Sequence, residues 1–211
     1  MRPARSEISV LLPLLREAQT AGLVGPGSVE AHLDHVRGFA EVIGDPGLGR
    51  MLDLGSGAGL PGLGLALLWP ASRWVLLDGR RRSAEFLSEA VGRLGVDGRV
   101  NVVEGRAEVV AHDPAYRATM DLVVARSVAS PSAVAECAAG FLLAGGRLVV
   151  SDPPAATEGR WPKVALDRLG MRPSNLTESS RGFHFSVVDQ LSLCPEPYPR
   201  RTGVPARRPL F

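Results

Sequence analysis

The stretch Arg50–Gly64 reads RMLDLGSGAGLPGLG, and it constrains the possible folds more than any other part of the chain. Met51, Leu52 and Leu54 form an apolar run that is too short for a helix and is typical of a buried strand in a parallel sheet. Several glycines follow this apolar run, and glycine accepts a positive φ and lets a ligand approach the backbone. Pro61 then stands where a helix can begin. The stretch therefore predicts a strand, a glycine-rich turn and a helix N-terminus whose N–H groups face a ligand.

The pattern of this turn indicates what kind of ligand it binds. Residues Gly57–Gly62 satisfy G-x-G-x-x-G, which alone is a weak match to a dinucleotide site. Asp53 lies two positions before the first glycine, where a carboxylate would repel a pyrophosphate and suit a ligand with cationic groups. The amino group and sulfonium of S-adenosylmethionine are such groups, and D-x-G-x-G-x-G resembles the first motif of class I methyltransferases. A nucleotide oxidoreductase and a purely structural turn stay open as alternatives.

Composition excludes several other classes. The chain has 211 residues, of which 45% are hydrophobic and 22% charged, so a folded domain is expected and a disordered chain is not. No apolar run approaches the roughly 20 residues of a membrane span, and the N-terminal apolar patch contains Pro13 and lacks a signal-peptide cleavage pattern. Cys137 and Cys194 are far apart and form no redox or metal motif. We therefore expect a cytoplasmic protein without a membrane segment.

Strand and helix patterns alternate along the chain after residue 46. The pattern predicts helices from Ser6 to about Gly44, with Ser28 capping the second of them. The predicted parallel strands are Met51–Leu54, Trp74–Leu77, Val100–Val103, Met120–Ala125 and Arg147–Val150, followed by a helix over Trp161–Leu169 and an antiparallel pair ending near Phe183–Leu193. This order is typical of a doubly wound α/β fold. We divide the chain into an N-terminal helical extension (1–45), a ligand-binding domain (46–194) and a basic tail (195–211).

Candidate binding residues follow the predicted strands, because ligands bind at the carboxyl ends of strands in open α/β sheets. Asp78 ends the second strand about 20 residues after the glycine turn, where an acid can take ribose hydroxyls. Ala107 and Glu108 follow the third strand, beside the expected place of an adenine. Arg126 ends the fourth strand, and because an arginine is costly to bury there without a partner, it is a candidate for a functional role.

Arginine carries almost all of the positive charge, since Lys163 is the only lysine, although the net charge is only +2. Arg80–Arg82 open a predicted helix, and the last dozen residues contain further arginines without any acid. Arginine binds phosphate bidentately, but a basic terminus is also an ordinary solvated surface, so both interpretations stay open. His32 and His35 share a helix face, but a metal needs more ligands, and no metal is expected.

Several of these motifs occur together, in order and at fitting separations, in one family. They are the D-x-G-x-G-x-G turn with its LPG, Leu77-Asp78, Gly105–Glu108, Ala125–Ala129 and the terminal stretch YPRRTGVPARRPL. The chain resembles the RsmG (GidB) family of bacterial methyltransferases, which make N7-methylguanosine in 16S ribosomal RNA. The resemblance implies a class I, Rossmann-like fold, with a mostly parallel seven-stranded sheet, helices on both faces and N-terminal helices. It also implies S-adenosylmethionine as cofactor, S-adenosylhomocysteine as product and the small ribosomal subunit or its RNA as partner.

The positions of these residues at strand ends and the resemblance to the family together predict the residues of the site. Cofactor contacts are expected at Asp53, Gly55, Ser56, Gly57, Gly59, Leu60, Asp78, Arg106, Ala107, Glu108 and Arg126. Arg126 is expected to orient cofactor or base, because guanine N7 has a free lone pair and no proton to lose. RNA phosphates are expected at Arg80, Arg200, Arg201, Arg207 and Arg208, and we expect the enzyme to act as a monomer.

Two departures from the family pattern affect target choice. The fifth strand ends in Ser151-Asp152-Pro153-Pro154, where the family usually carries Leu-Lys-Gly, so the expected lysine is absent and an acid stands near its place. His35 stands where the family tends to have serine. Two alternatives therefore stay open: the same fold methylating another RNA or a small molecule, and a non-catalytic RNA-binding relative.

Overall fold

The structure is a computed structural model that describes residues 8–153 and 159–211. The predicted helix start at Ser6 and the predicted Pro154 segment lie outside the described residues. The strands are β1 Arg50–Leu54, β2 Arg73–Asp78, β3 Val100–Glu104, β4 Met120–Arg126, β5 Leu142–Asp152, β6 Met171–Glu178 and β7 His184–Gln190. The helices are α1 Leu12–Thr20, α2 Val29–Ile43, α3 Gly62–Leu68, α4 Arg81–Arg93, α5 Ala107–Val110, α6 Pro131–Phe141, α7 Lys163–Asp167 and α8 Val204–Arg207.

The strands form one seven-stranded sheet in the order β3-β2-β1-β4-β5-β7-β6. β1 to β5 run parallel, and β7 is antiparallel to both of its neighbours. β1 lies between β2 and β4, so the strand order reverses beside β1. In a doubly wound sheet this reversal opens a crevice at the carboxyl ends of the strands. The predicted seven-stranded, mostly parallel sheet is thus confirmed.

Successive residues of the central strand enter two different cores, because side chains alternate across a sheet. Met51 joins a core with α1 to α4, which includes Leu33 and Leu63, whereas Leu52 joins a core with α6 and α7. Helices therefore cover both faces, as predicted. The N-terminal helices complete the first core, so they pack continuously with the sheet. The division of the chain at residues 45 and 194 stays a prediction.

The observed elements differ from the predicted ones mainly at their ends. α2 begins as predicted, with Ala31 N donating to Ser28 Oγ at 3.1 Å. The predicted helix Trp161–Leu169 is shorter, as α7 covers only Lys163–Asp167. β5 is longer than predicted and shifts register against β4 near its start, where Gly145 has a φ of +90°. Within the described residues, no helix is long and apolar enough to span a bilayer.

The start of α3 provides a stability test of the glycine turn. A Cβ at Gly62 would lie 2.4 Å from Asp53 Cβ and 2.8 Å from Leu76 Cδ2, so Gly62→Ala must displace the β1–α3 connection. We expect a loss of about 1–3 kcal/mol in the free energy of unfolding, measured by urea denaturation.

Gly92→Ala is the matched control for this substitution. Gly92 is exposed on α4 and its added Cβ would meet nothing within 4 Å. Alanine there should stabilise the protein by about 0.5–1 kcal/mol, since glycine is unfavourable inside a helix. Equal effects of the two substitutions would contradict the close β1–α3 packing.

Candidate functional site

The glycine turn after β1 is held in shape by backbone contacts to the end of β2. Gly55, Gly57 and Gly59 have φ values of +70°, +57° and +90°, which favour glycine over other residues. The N–H groups of Gly55 and Ser56 both donate to Leu77 O, at 2.8 and 2.9 Å. The turn therefore lies across the carboxyl ends of β1 and β2, at the crevice that the strand order creates.

Asp53 lies buried beneath this turn with one carboxylate oxygen unused. Its Oδ2 accepts a hydrogen bond from Gly62 N at 2.9 Å, whereas Oδ1 is buried and has no hydrogen-bond partner among the described residues. Burial, with a smaller contribution from Asp78, raises the pKa of Asp53 to about 7 against the opposing effects of Gly62, Ser56 and Arg126. A buried acceptor without a donor is costly, so Oδ1 is poised to accept from a ligand.

Asp78 closes the turn from the neighbouring strand. Its Oδ2 accepts from Gly57 N at 2.8 Å and its Oδ1 from Arg80 N at 2.9 Å, with Arg80 Nε at 3.4 Å. Each carboxylate oxygen can accept more than one hydrogen bond, so capacity for a ligand hydroxyl is left. Arg80 leans against Asp78 while 67% of its side chain stays exposed to solvent.

A cleft extends from the glycine turn toward α5 and α6. Its lining comprises residues from four strand ends, from α6 and from the C-terminal segment, among them Gly55, Gly79, Arg106, Ala107, Glu108, Val128, Ala129, Val134, Pro205 and Ala206. Glu108 Oε1 accepts from Gly203 N at 2.8 Å, and Arg106 Nη2 lies 3.4 Å from the same oxygen. Sequence reasoning missed Pro205 and Ala206, since nothing in their composition indicates that the tail folds back to form a wall of this cleft.

The C-terminal segment is anchored by an ion pair between Arg200 and the buried Glu136. Arg200 donates three hydrogen bonds to Glu136, from its backbone N at 2.7 Å, from Nε at 2.8 Å and from Nη2 at 2.6 Å. The Glu136 side chain is wholly buried, so this arginine compensates its charge. Leu210 N also donates to Ser132 Oγ at 2.7 Å. Arg200 therefore anchors the tail and is not a free phosphate ligand, whereas Arg201, Arg207 and Arg208 are exposed.

Arg126 is oriented by a histidine that sequence reasoning considered only as half of a metal pair. Arg126 Nη2 lies 2.8 Å from His32 Nδ1, and His32 Nε2 lies 3.3 Å from Gly25 O. Because the guanidinium can only donate, His32 must be neutral, with Nδ1 accepting and Nε2–H donating. Burial and the nearby Arg126 charge lower the pKa of His32, consistent with that state. The two residues are far apart in sequence, so only the packing of α2 over β4 brings them together.

A second cavity opens beside Arg126 at the ends of β4 and β5. It is lined by His35, Arg126, Ser127, Val128, Ser151, Asp152 and Arg160, among others. Ser127 has a φ of +54°, an uncommon conformation for a residue other than glycine, and such backbone clusters at functional sites. His35 Nε2 lies 2.8 Å from Ser151 Oγ, and burial lowers the pKa of His35 to about 4.

Asp152, near the place of the lysine expected from the family pattern, is buried and has two partners. Ser186 Oγ donates to its Oδ2, and Arg160 Nε lies 3.4 Å from its Oδ1. Its negative charge is thereby compensated within the protein. Within the described residues, no group of three or more His, Cys, Asp or Glu side chains could hold a metal ion.

Comparison with known proteins matches residues 15–153 to the model of the GidB family, described as rRNA small subunit methyltransferase G. This chain belongs to that family. It is 35% identical to ribosomal RNA small subunit methyltransferase G of Rubrobacter xylanophilus over 216 aligned residues, covering 97% of this chain and 82% of the relative. The corresponding protein of Dehalococcoides mccartyi is 36% identical over 169 residues, covering 77% and 71%.

The fold of this GidB family member is also that of solved methyltransferases. An O-methyltransferase from Bacillus cereus, crystallised in complex with SAH, has a TM-score of 0.61 at 14% identity. The match covers 89% of this chain and 91% of that one. At this identity the likeness concerns the fold alone, and it supports the predicted class I, Rossmann-like architecture.

The anchoring role of Arg200 predicts a large stability effect. Arg200→Ala leaves the buried Glu136 carboxylate without its guanidinium partner, so we expect a loss of about 3 kcal/mol in the free energy of unfolding, measured by urea denaturation.

The neighbouring Arg201 is exposed and has the same charge, which makes Arg201→Ala the matched control. We expect it to change stability by no more than about 0.5 kcal/mol. An Arg200→Ala loss as small as that of the control would show that the ion pair does not anchor the tail.

Proposed function

We propose that this chain transfers the methyl group of S-adenosylmethionine to N7 of a guanine in 16S ribosomal RNA, leaving S-adenosylhomocysteine. Membership in the GidB family supports the reaction class and the RNA substrate. The observation that carries the proposal is the buried Asp53 Oδ1 beneath the glycine turn, which has no hydrogen-bond partner in the part of the chain that the structure describes. We further propose that the enzyme acts as a monomer in the cytoplasm.

The residues of the glycine turn and of the neighbouring cleft suit this cofactor. Asp53 Oδ1 offers a buried anionic acceptor to the cationic end of the ligand, which a pyrophosphate could not use. The positive φ values of the turn glycines leave the backbone open to close approach. Asp78 would hold the ribose hydroxyls with its remaining acceptor capacity, and Ala107 and Glu108 would border the adenine. The other proposed contacts are Gly55, Ser56, Gly57, Gly59, Leu60, Arg106 and Arg126.

The second cavity is the proposed place of the target base, and its chemistry requires little more than positioning. Bound cofactor supplies an electrophilic methyl group, and guanine N7 attacks it without losing a proton, so no general base is needed. Arg126, held by His32, is a fixed donor in the lining of the second cavity and would orient the base or the cofactor carboxylate. Burial lowers the pKa of Arg126, while Asp53 counteracts this effect, and the group stays a donor.

RNA binding is assigned to exposed arginines. Arg80 lies at the rim of the glycine turn, and Arg201, Arg207 and Arg208 lie on the tail that forms the cleft wall. Phosphate contacts from these residues would place the RNA over both cavities. Arg200 is left out of this set because Glu136 already occupies its guanidinium.

One observation favours a second candidate function on the same scaffold. Asp152 stands near the place of a family lysine and is compensated by Arg160, so the rim of the second cavity differs in charge from the family pattern. The alternative is a methyltransferase that retains the cofactor site but acts on another RNA or a small molecule.

The decisive experiment is mass spectrometry of nucleosides from 16S ribosomal RNA, with the gene deleted and then restored. We expect one N7-methylguanosine to disappear on deletion and to return on restoration. An unchanged modification pattern would overturn the ribosomal assignment. Calorimetry with S-adenosylmethionine would then separate a retargeted enzyme, which binds the cofactor, from a non-catalytic relative, which does not.

The raised pKa of Asp53 predicts a pH dependence of cofactor binding. Because a cationic ligand favours the ionised carboxylate, affinity for S-adenosylmethionine should fall as pH drops below the pKa of about 7. Well below that pKa, the decrease should approach about tenfold per pH unit, and binding near pH 7 should release a proton. Calorimetry from pH 5.5 to 7.5, in buffers of different ionisation enthalpy, measures both effects.

Asp53→Asn is the matched control, since its amide oxygen can still accept from Gly62 N. This variant should bind more weakly and show no such pH dependence over the same range. A wild-type affinity for S-adenosylmethionine that stays constant from pH 5.5 to 7.5 would contradict the proposed role of Asp53.

A further inference from the structure

Three arginines stand side by side at the amino-terminal edge of the sheet, opposite the two cavities described above. Arg50 begins β1 and pairs in register with Arg73, which begins β2. Arg99 directly precedes β3, next to the register pair Trp74 and Val100. Neighbouring strands lie about 4.8 Å apart, so the sheet register itself aligns the three residues in a row.

These arginines border one cavity. Arg50, Arg73 and Arg99 line it together with polar residues that include Asn101 and Tyr116, and Asp97 is the acidic side chain in the lining. The lining thus contains three guanidinium groups and one carboxylate. The nearby Asp121 Oδ2 is already engaged, because it accepts from the backbone N of Arg50 at 2.7 Å.

The charges of this cluster are poorly compensated by the protein itself. Among residues 8–153 and 159–211, none of the three arginines lies within ion-pair distance of a carboxylate. Arg50 Nη2 donates to Ala115 O at 3.4 Å, and Arg99 Nη1 is buried without any hydrogen-bond partner in this part of the chain. Like charges directly opposite one another across strands are destabilising, so these arginines lower the stability of the folded protein.

We propose that Arg50, Arg73 and Arg99 form an anion site, which binds a phosphate group of an RNA backbone or of a free phosphate. Guanidinium groups bind phosphate oxygens through paired N–H donors, and a bound phosphate would supply the partner that Arg99 Nη1 lacks. Arg50 lies three residues, about 10 Å, before Asp53 along β1, so the site is at the edge of the sheet opposite the two cavities. It does not depend on the function proposed above.

The first test measures the binding of inorganic phosphate by calorimetry at low ionic strength. We expect saturable binding by the wild type and at least a tenfold weaker affinity in both Arg73→Gln and Arg99→Gln. Arg172→Gln is the matched control, because Arg172 is an exposed arginine on β6 that lines neither this site nor the cofactor cleft. Absent saturation, or equal affinity in all four proteins, would overturn the proposal.

A stability measurement provides a second readout that does not require activity. Phosphate should raise the melting temperature of the wild type more than chloride does at equal ionic strength, since it binds only the folded protein. This difference should vanish in Arg73→Gln and persist in Arg172→Gln. Arg73→Lys keeps the charge but loses the paired donors, so it should retain only part of the phosphate effect.

The source of the phosphate is distinguished with an RNA fragment from the small subunit. If the ligand is RNA backbone, the slope of log affinity against log salt should fall by about 1 in Arg73→Gln relative to Arg172→Gln. If phosphate binding is lost while the RNA slope is unchanged, the site binds a free phosphate. S-adenosylmethionine affinity should be equal in all variants, which separates this result from any failure of the methyltransferase proposal.

Discussion

The hydrogen bond from Gly62 N to Asp53 Oδ2 determines the geometry on which the rest of the site depends. It ties the end of β1 to the first residue of α3, and it is possible only because Gly62 has no Cβ. The turn between them must then pass over the carboxylate, where its glycines adopt positive φ. One oxygen of Asp53 is used by the fold, and the other has no donor among residues 8–153 and 159–211, so the same residue is a structural link and has an oxygen available to a ligand.

The C-terminal segment shows how a single charged residue type can serve opposite purposes. Arg200 neutralises the buried Glu136, while the adjacent Arg201 is exposed. The ion pair between Arg200 and Glu136 fixes the C-terminal segment. Gly203 N then reaches Glu108, and Pro205 and Ala206 complete the cleft wall. A terminal stretch that looks like a loose basic tail in sequence thus forms part of the cleft wall, and its arginines have different environments.

The sequence was sufficient for the fold class and for the strand, turn and helix start around the glycines, because these depend on local patterns. Parallel strands buried on two faces are continuous apolar runs, and the alternation of strand and helix limits the topology. Contacts between distant residues were not predictable in this way. Two such contacts are the pairing of Arg126 with His32 and that of Arg200 with Glu136. Both depend on how helices pack against the rest of the protein, which no local sequence pattern encodes. The predicted cofactor contacts stay predictions; Gly55, Arg106, Ala107 and Glu108 line the first cleft, whereas Arg126 lines the second cavity.

The two ends of the parallel strands differ sharply in charge. They also differ in the groups that lie near these charges and compensate them. At the carboxyl ends, Asp53, Asp78 and Glu108 are surrounded by backbone N–H groups of turns and helix starts, which satisfy most of their oxygens. At the amino ends, the guanidinium groups of Arg73 and Arg99 have no carboxylate partner within the described residues. Arginines that are aligned in register without a carboxylate partner leave positive charge at this edge, and an external anion is the simplest physical means of balancing it.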